Sequence, residues 1–491
     1  MAGGNGGGGG GGRGGAGGSG GDNEETGEGG GSDGGASLAG GTGGTGDSPE
    51  PGHLAHFGSD GDYVALPLAV AATPNGRIAL AGRFSGDLDL GDGDPLVSEP
   101  NARAMFLVVY DAAFEIIYKA KIMEEIYRAV DSYTLESRVS LLFDESGNLM
   151  IAGYAAFDLT LDGESLVEGA ARPRTFIAKL DPEGNLLDSM VYGGTGIQFA
   201  HSMALAPNGH AFVYGRFRGV LELGGACEDP VGPDPEATDE DLYLAEHDED
   251  LNCVSVVQVS GTDILLNREV AVTEGGDVIV SGVYSGTLSF EGEEFTSPNQ
   301  IHSFVRRIGA NPDDSYFANL ASADTFTAVN LIADGNDVLA SGQVGEPFPQ
   351  LGISEGFGDI DMFVARLGAA GDVTAAHIIG SSAQDQNAYA FPLPGGGTRV
   401  YGNFSAALQS GSLSLPEDED GGAFIADLDD ALAPETLSAL GGAGHERIAR
   451  VAIAGGFEIL AGNVIGPTEL DGVPVETAEL GDIFLLRRPL D

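Results

Sequence analysis

The sequence predicts an all-β fold: a seven-bladed β-propeller of four-stranded blades, its ring closed by an N-terminal strand, behind a disordered glycine-rich leader. Three observations predict it. A glycine preceded by an apolar run returns seven times. An aromatic residue opening a second apolar run follows each of these glycines by 21 to 28 residues. The seventh copy stops one strand short, and one strand-like segment stands unclaimed ahead of the first copy. Self-similarity at a period of this length marks a repeat architecture.

The glycine anchors read IALAGRF at Gly82, LMIAGYA at Gly153, AFVYGRF at Gly215, VIVSGVY at Gly282, VLASGQV at Gly342, RVYGNF at Gly402 and EILAGNV at Gly462. Their spacings are 71, 62, 67, 60, 60 and 60 residues. The aromatic anchors are Phe106, Phe176, Tyr243, Phe304, Phe363, Phe424 and Phe484. A glycine inside a strand weakens it unless something approaches closely, so the seven glycines are read as tight packing sites between blades.

Each copy divides into four short strands, apolar on both faces and bounded by turn residues. In the first copy, strand A is expected at about Val64–Ala72 and ends at the turn Pro74-Asn75-Gly76. Strand B follows at Arg77–Phe84, strand C at Ala104–Asp111 and strand D at Phe114–Ile122. Four strands in about 60 residues, repeated radially, make a propeller blade. A solenoid would leave its ends apart. Here the segment His53–Gly58 resembles the strand D positions Asp188–Gly193 and Thr436–Gly441. Leu54–Phe57 is therefore expected to pair antiparallel with strand C of the last copy, near Asp482–Arg487, removing an open edge.

Residues 1–51 are expected to be a flexible acidic tether, and 52–491 the propeller. The first 50 residues hold 26 of the 80 glycines, with Arg13 as their one cation. Such a stretch buries too little apolar surface to offset the entropy of ordering it. The net charge of −53 repels nucleic acid and anionic lipid and favours cations or basic partners. No run approaches the ~18 apolar residues of a membrane helix. A monomer is expected. The N-terminus as written carries no cationic segment followed by an apolar one.

At these residues the chain resembles the bacterial β-propeller repeat proteins abundant in myxobacteria, whose motif is glycine-aromatic-x-glycine, a leucine-rich turn, then Asp-x-Phe. The matching segments are GRFSGDLDLG (82–91), GRFRGVLELG (215–224) and GVYSGTLSFEG (282–292). Asp241-Leu242-Tyr243, Asp361-Met362-Phe363 and Asp482-Ile483-Phe484 match the second half; four copies lack that Asp. The resemblance covers roughly residues 52–491. It implies a surface or secreted, lipoprotein-like protein held by a glycine-rich tether, although neither a signal peptide nor a lipid-bearing Cys is present as written. A cytoplasmic location stays open.

Chemistry is sparsely signalled. Asp87, Asp89, Asp92 and Asp94 form the densest acidic cluster and the one candidate Ca²⁺ site, since calcium takes six to eight oxygens. Their alternation with Leu88 and Leu90 also suits a strand with one solvated face. His53 and His56 would point to opposite faces of a strand, and His201 and His445 fall near connections between blades. No zinc spacing emerges among the eight histidines, and GGSGG in the leader lacks the strand and helix of a nucleophile elbow. The absence of Trp removes sialidase-type Asp boxes and quinoprotein propeller motifs, which lean on a tryptophan in each repeat. Cys227 and Cys253 in the third copy are a disulfide candidate.

Two departures from the period mark a candidate loop face. One is the first D-to-A connection with Tyr127, Arg128, Tyr133 and Arg138; the other is the third B–C connection, about Ala226–Glu240. The expected function is a non-enzymatic binding or scaffold module for a protein or surface polymer. The alternative is a propeller-type lyase or hydrolase using carboxylates at the channel mouth. Convergent His, Arg and acid side chains there favour the enzyme, whereas a lining of Gly, Ala and Ser counts against it.

Overall fold

The computed structural model describes residues 37–38 and 53–490, except 62–63, 127–138, 169–171, 228–230, 233–239, 263–264, 310, 312–313, 324–328, 346–350, 353–355, 359, 418–420, 443–444, 476 and 478–480. The described chain is all-β and contains no α-helix. The expected tether, 1–51, lies outside it apart from Ser37–Leu38, which pairs antiparallel with Ala55 and His56.

Strands join in antiparallel groups of four, labelled A to D within each unit. Unit 1 comprises Leu66–Ala72, Ile78–Phe84, Ala102–Tyr110 and Ile116–Ile126. Unit 2 comprises Val139–Phe143, Leu149–Ala155, Arg174–Leu180 and Leu186–Val191. Unit 3 comprises Ile197–Leu205, Ala211–Arg218, Asp241–His247 and Cys253–Gly261. Unit 4 comprises Leu265–Val272, Val278–Phe290, Glu293–Ile308 and Tyr316–Ala323. Unit 5 comprises Val329–Asp334, Asp337–Val344, Asp361–Leu367 and Val373–Gly380. Unit 6 comprises Gln386–Pro392, Thr398–Phe404, Gly422–Leu428 and Pro434–Leu440. Unit 7 has strands A to C at His445–Ala454, Phe457–Ile465 and Asp482–Pro489, and its fourth strand is His53–Phe57. There His53 faces Arg487 and Phe57 faces Ile483, as the sequence led us to expect. In unit 1, strand D runs four residues beyond the expected Ile122, because its partner strand C begins earlier, at Ala102.

The two sequence anchors meet. In every unit the repeated glycine of strand B is the register partner of the aromatic in strand C. The ring lies over the glycine. A Cβ on Gly82, Gly215 or Gly462 would fall within 2.5 Å of Phe106, Tyr243 or Phe484, respectively. The glycines therefore make room within a sheet, which corrects their reading as contacts between units. Gly402 does both, since it also abuts Met362 of the preceding unit.

The turns explain part of the acidity. Asp111, Asp144, Asp181, Asp248 and Asp429 each use Oδ1 to accept the backbone N–H groups two and four residues on. An aspartate that closes its own turn is a structural residue.

The core lies between units. Seven large apolar clusters are each shared by two consecutive units. One of them joins Phe57, Ile459 and Ile483 of unit 7 to Ile78, Leu80 and Phe106 of unit 1. Outer edges are covered as well. The B–C segment of unit 2 pairs with strand D of unit 1 at Leu159–Met123, and that of unit 6 with strand D of unit 5 at Ser410–Ile379. The same hook recurs as Leu88 of unit 1 bridging Ser59, just past the fourth strand of unit 7.

Candidate functional site

Strand A is irregular where it meets strand B. Register shifts occur between Pro67 and Ala69, Ala200 and Ser202, Asn267 and Val270, Gln386 and Tyr389, and Ile448 and Arg450. A bulge adds a residue, bends the strand and re-aims side chains. It also frees backbone groups that need other partners.

Those groups are taken by the neighbouring unit. Asn330 Nδ2 and Ser341 Oγ of unit 5 donate to the Ala388 carbonyl of unit 6, at 2.7 and 2.9 Å. Asn403 Nδ2 of unit 6 donates to the Ile448 carbonyl of unit 7 at 2.9 Å, and Tyr389 donates to the Ala449 carbonyl at 2.8 Å. Unit 7 in turn reaches unit 1: Arg450 Nε donates to the Leu68 carbonyl and Asn463 Nδ2 to the Ala65 carbonyl.

Strands A of neighbouring units lie side by side, and they enclose a cavity of about 260 Å3. Each of the seven contributes to its wall. Small residues are present, among them Ala69, Ser140, Gly342 and Ala388, but the distinctive lining is polar: His201, Arg268, Glu269, Asn330, Gln343, Asn387, Tyr389 and Arg450. The volume lies just below the roughly 300–1,000 Å3 of typical ligand sites. Glu269 is oriented by Ser202, whose Oγ donates to its Oε2 at 2.7 Å, while the Glu269 N–H donates to Ser281 Oγ at 3.1 Å. Arg450 Nη1 donates to the Tyr389 hydroxyl at 3.0 Å and to the Ala449 carbonyl at 2.6 Å. Gln343 Nε2 donates to the Asp385 carbonyl at 3.0 Å, tying the wall to a buried acid.

Asp385 and Asp361 are that acid and its neighbour, 0% and 2% exposed. Burial pushes Asp385 up to about 6, against two hydrogen bonds from Ser381, at 2.6 Å from N and 2.8 Å from Oγ, and the charge of Asp361 adds to the rise. Burial also raises Asp361, although its Oδ2 accepts the Phe357 N–H at 2.7 Å.

The sequence candidates lie elsewhere. Tyr127, Arg128, Tyr133 and Arg138 fall outside the described residues. Asp87 and Leu88 pair with Val97 and Leu96, so the acidic cluster decorates a hairpin. Asp89 Oδ1 accepts the Gly91 and Gly93 N–H groups at 2.9 and 3.1 Å. Asp92 and Asp94 lie 2.7 and 3.5 Å from Lys119 Nζ. Among the described residues, no three His, Cys, Asp or Glu side chains are placed to hold a metal. Turn capping and a lysine employ the carboxylates of Asp89, Asp92 and Asp94. His53 stacks on Phe114 with ring centroids 4.4 Å apart, whereas His56 is the register partner of Phe484, and burial lowers its pKa against the charge of Asp482. His201, expected near a connection, sits within strand A at a bulge. Cys227 and Cys253 are bonded, with Cα atoms 5.8 Å apart.

No family model and no curated protein matches the chain. Among solved structures, the polysaccharide lyase Uly1 is 10% identical with a TM-score of 0.43, over 86% of this chain and 90% of that one. The Hadza microbial sialidase Hz136 is 10% identical with a TM-score of 0.37, over 90% and 93%. Trypanosoma rangeli sialidase in complex with sialic acid is 7% identical with a TM-score of 0.35, over 79% and 59%. Likenesses this slight carry no functional argument.

Proposed function

We propose that the chain closes into a seven-bladed propeller whose central cavity is the active site of a propeller-type lyase or hydrolase. Three features support closure: the ladder of His53–Phe57 on Ile483–Arg487, the apolar cluster shared by units 7 and 1, and the side-chain bonds from Arg450 and Asn463 to unit 1. The same repeat motifs are the ground for proposing kinship with the bacterial β-propeller repeat proteins. The Cys227–Cys253 bond supports export to an oxidising compartment.

One observation carries the enzymatic reading: His201, Arg268, Glu269 and Arg450 converge on one cavity from units 3, 4 and 7. Glu269 is the single carboxylate among its described lining residues. Glycoside hydrolysis by the usual route needs two carboxyl groups. Elimination needs one base, a proton donor and cations to hold the developing charge. The reaction class proposed is therefore elimination. Glu269 takes a proton from the carbon beside an acidic group, the C–H pair becomes a C=C bond, and the neighbouring C–O bond breaks. His201 returns a proton to the leaving oxygen, and Arg268 holds the negative charge that develops.

The test is incubation with acidic and neutral polysaccharides, reading ultraviolet absorbance of a new C=C bond alongside new reducing ends. Elimination raises both, and Glu269→Gln lowers the rate by about 10²–10⁴-fold. Reducing ends without the absorbance mean hydrolysis. Saturable binding with no product from any polymer returns the protein to a binding module.

A further inference from the structure

The cavity wall holds a cation that no described carboxylate pairs, in a chain with 22 Lys and Arg against 75 Asp and Glu. Arg450 has no carboxylate partner among the described residues. Its guanidinium is instead fixed by neutral oxygens: the Leu68 carbonyl on Nε, and the Tyr389 hydroxyl and Ala449 carbonyl on Nη1. These bonds set its orientation and leave its charge uncompensated. Nη2 makes none of them. Three of its five N–H donors are thereby spent, and the two on Nη2 remain to donate to an anion such as a carboxylate.

The wall beside it is equally directional. Asn330, Gln343 and Asn387 give their amide nitrogens to the carbonyls of Ala388, Asp385 and Ile448, at 2.7, 3.0 and 3.4 Å. A carbonyl oxygen can only accept, so the nitrogens must face these partners. Each amide oxygen is then left as a fixed acceptor, which calls for a hydroxyl donor.

We propose that the ligand of this cavity is a polyhydroxylated carboxylate, a sugar acid, with its carboxylate on Arg450 and its hydroxyls on the amide oxygens of Asn330, Gln343 and Asn387. The proposal deepens the active-site reading above, and rests on it for the choice of cavity. It assigns Arg450 as the residue that selects acidic over neutral sugar.

Isothermal titration of the full chain at about 0.15 M salt tests this, using D-glucuronate, D-glucose and acetate as probes. Glucose keeps the ring hydroxyls without the acid; acetate keeps the acid without the hydroxyls. The expected result is saturable glucuronate binding at least about tenfold tighter than either. Arg450→Met, shown folded by its melting curve, then takes glucuronate no better than glucose, and Arg450→Lys recovers part of the difference. Equal affinity for glucuronate and glucose in the native chain overturns the proposal, as does the absence of saturable glucuronate binding. So does a folded Arg450→Met that binds as before. Because the ranking on the native chain needs no variant, a misfolded Arg450→Met leaves the test intact. Glu269→Gln separates the two readings: it keeps glucuronate affinity while losing turnover. Glucuronate preference without turnover in the native chain sinks the enzyme and spares the ligand assignment; turnover without that preference does the reverse.

Discussion

Gly282 and Phe304 face each other as register partners in unit 4, and a Cβ on Gly282 would lie 2.6 Å from both the Phe304 ring and the Leu266 carbonyl. No real Cβ sits so close to backbone, so the position admits only glycine without movement. The same crowding recurs at Gly82, Gly215, Gly402 and Gly462, and the pairing of glycine with aromatic recurs in all seven units.

Gly282→Ala is therefore an overpacking substitution. It should destabilise the fold by about 1–3 kcal/mol and lower the melting temperature by several degrees. Gly276→Ala, whose Cβ would meet nothing within 4 Å although its φ is +86°, isolates the effect of backbone strain. Thermal unfolding of the two variants separates crowding from strain; an unchanged Gly282→Ala would deny the ring its role.

Deleting residues 1–50, which removes only the two-residue pairing of Ser37–Leu38, should lower the melting temperature far less than deleting 1–62, which should lower it by many degrees. The longer deletion removes His53–Phe57, exposes the outer edge of Asp482–Pro489 and strips Phe57 and Ala55 from their apolar cluster. Lost ladder bonds at about 1 kcal/mol each are a large share of a domain's margin. Calorimetry on the two truncations decides it, and identical curves would sink the closing role of this strand.

The Cys227–Cys253 bond spans 26 residues and pins the B–C connection of unit 3 to the start of its strand D. Reduction should cost about 3 kcal/mol of stability. Alkylation of unreduced, exported protein should leave its mass unchanged. Two added alkyl groups would show that the thiols stay free.

Asp385 gives stability an inverted pH response. Its folded pKa, about 6, lies above the usual carboxylate value near ~4. The folded chain thus holds a proton that the unfolded chain releases. This contribution is complete below ~4 and is lost as pH rises through about 6. Asp361 adds in the same direction, with an Oδ1 that is buried and without a hydrogen-bond partner among the described residues. Asp385→Asn, which keeps a donor at every pH, should melt with a flatter profile between pH 4 and 6 than the native chain. Parallel profiles would rule the carboxyl out as the titrating group.

The frame was legible in the sequence because its determinants repeat. Gly82 with Phe106 and Gly462 with Phe484 are one pairing written seven times, and His53–Phe57 could be matched to its role by elimination. The cavity was not legible, because function occupies positions that do not repeat. The bulge holds Leu68 in one unit, His201 in another, Arg268 with Glu269 in a third and Ala449 in a fourth. A usable signal existed: His201 and Arg268 each lie 14 residues before their glycine, inside strands otherwise read as apolar. The acidic run at Asp87–Asp94 drew attention through density alone, and density there reflects turn capping and a nearby lysine.

The partner of His53–Phe57 is made long after it. Roughly 430 residues separate the two, so at ~5–20 residues per second a ribosome leaves this early strand waiting for roughly 20 to 90 seconds. Six units can assemble in order as they emerge, each on its predecessor. The seventh can be completed only by a segment that left the exit tunnel before any of the six, so its completion joins an early part of the chain to a late one. During that interval the segment presents Leu54, Ala55 and Phe57, all buried in the finished protein, to whatever else the cell offers.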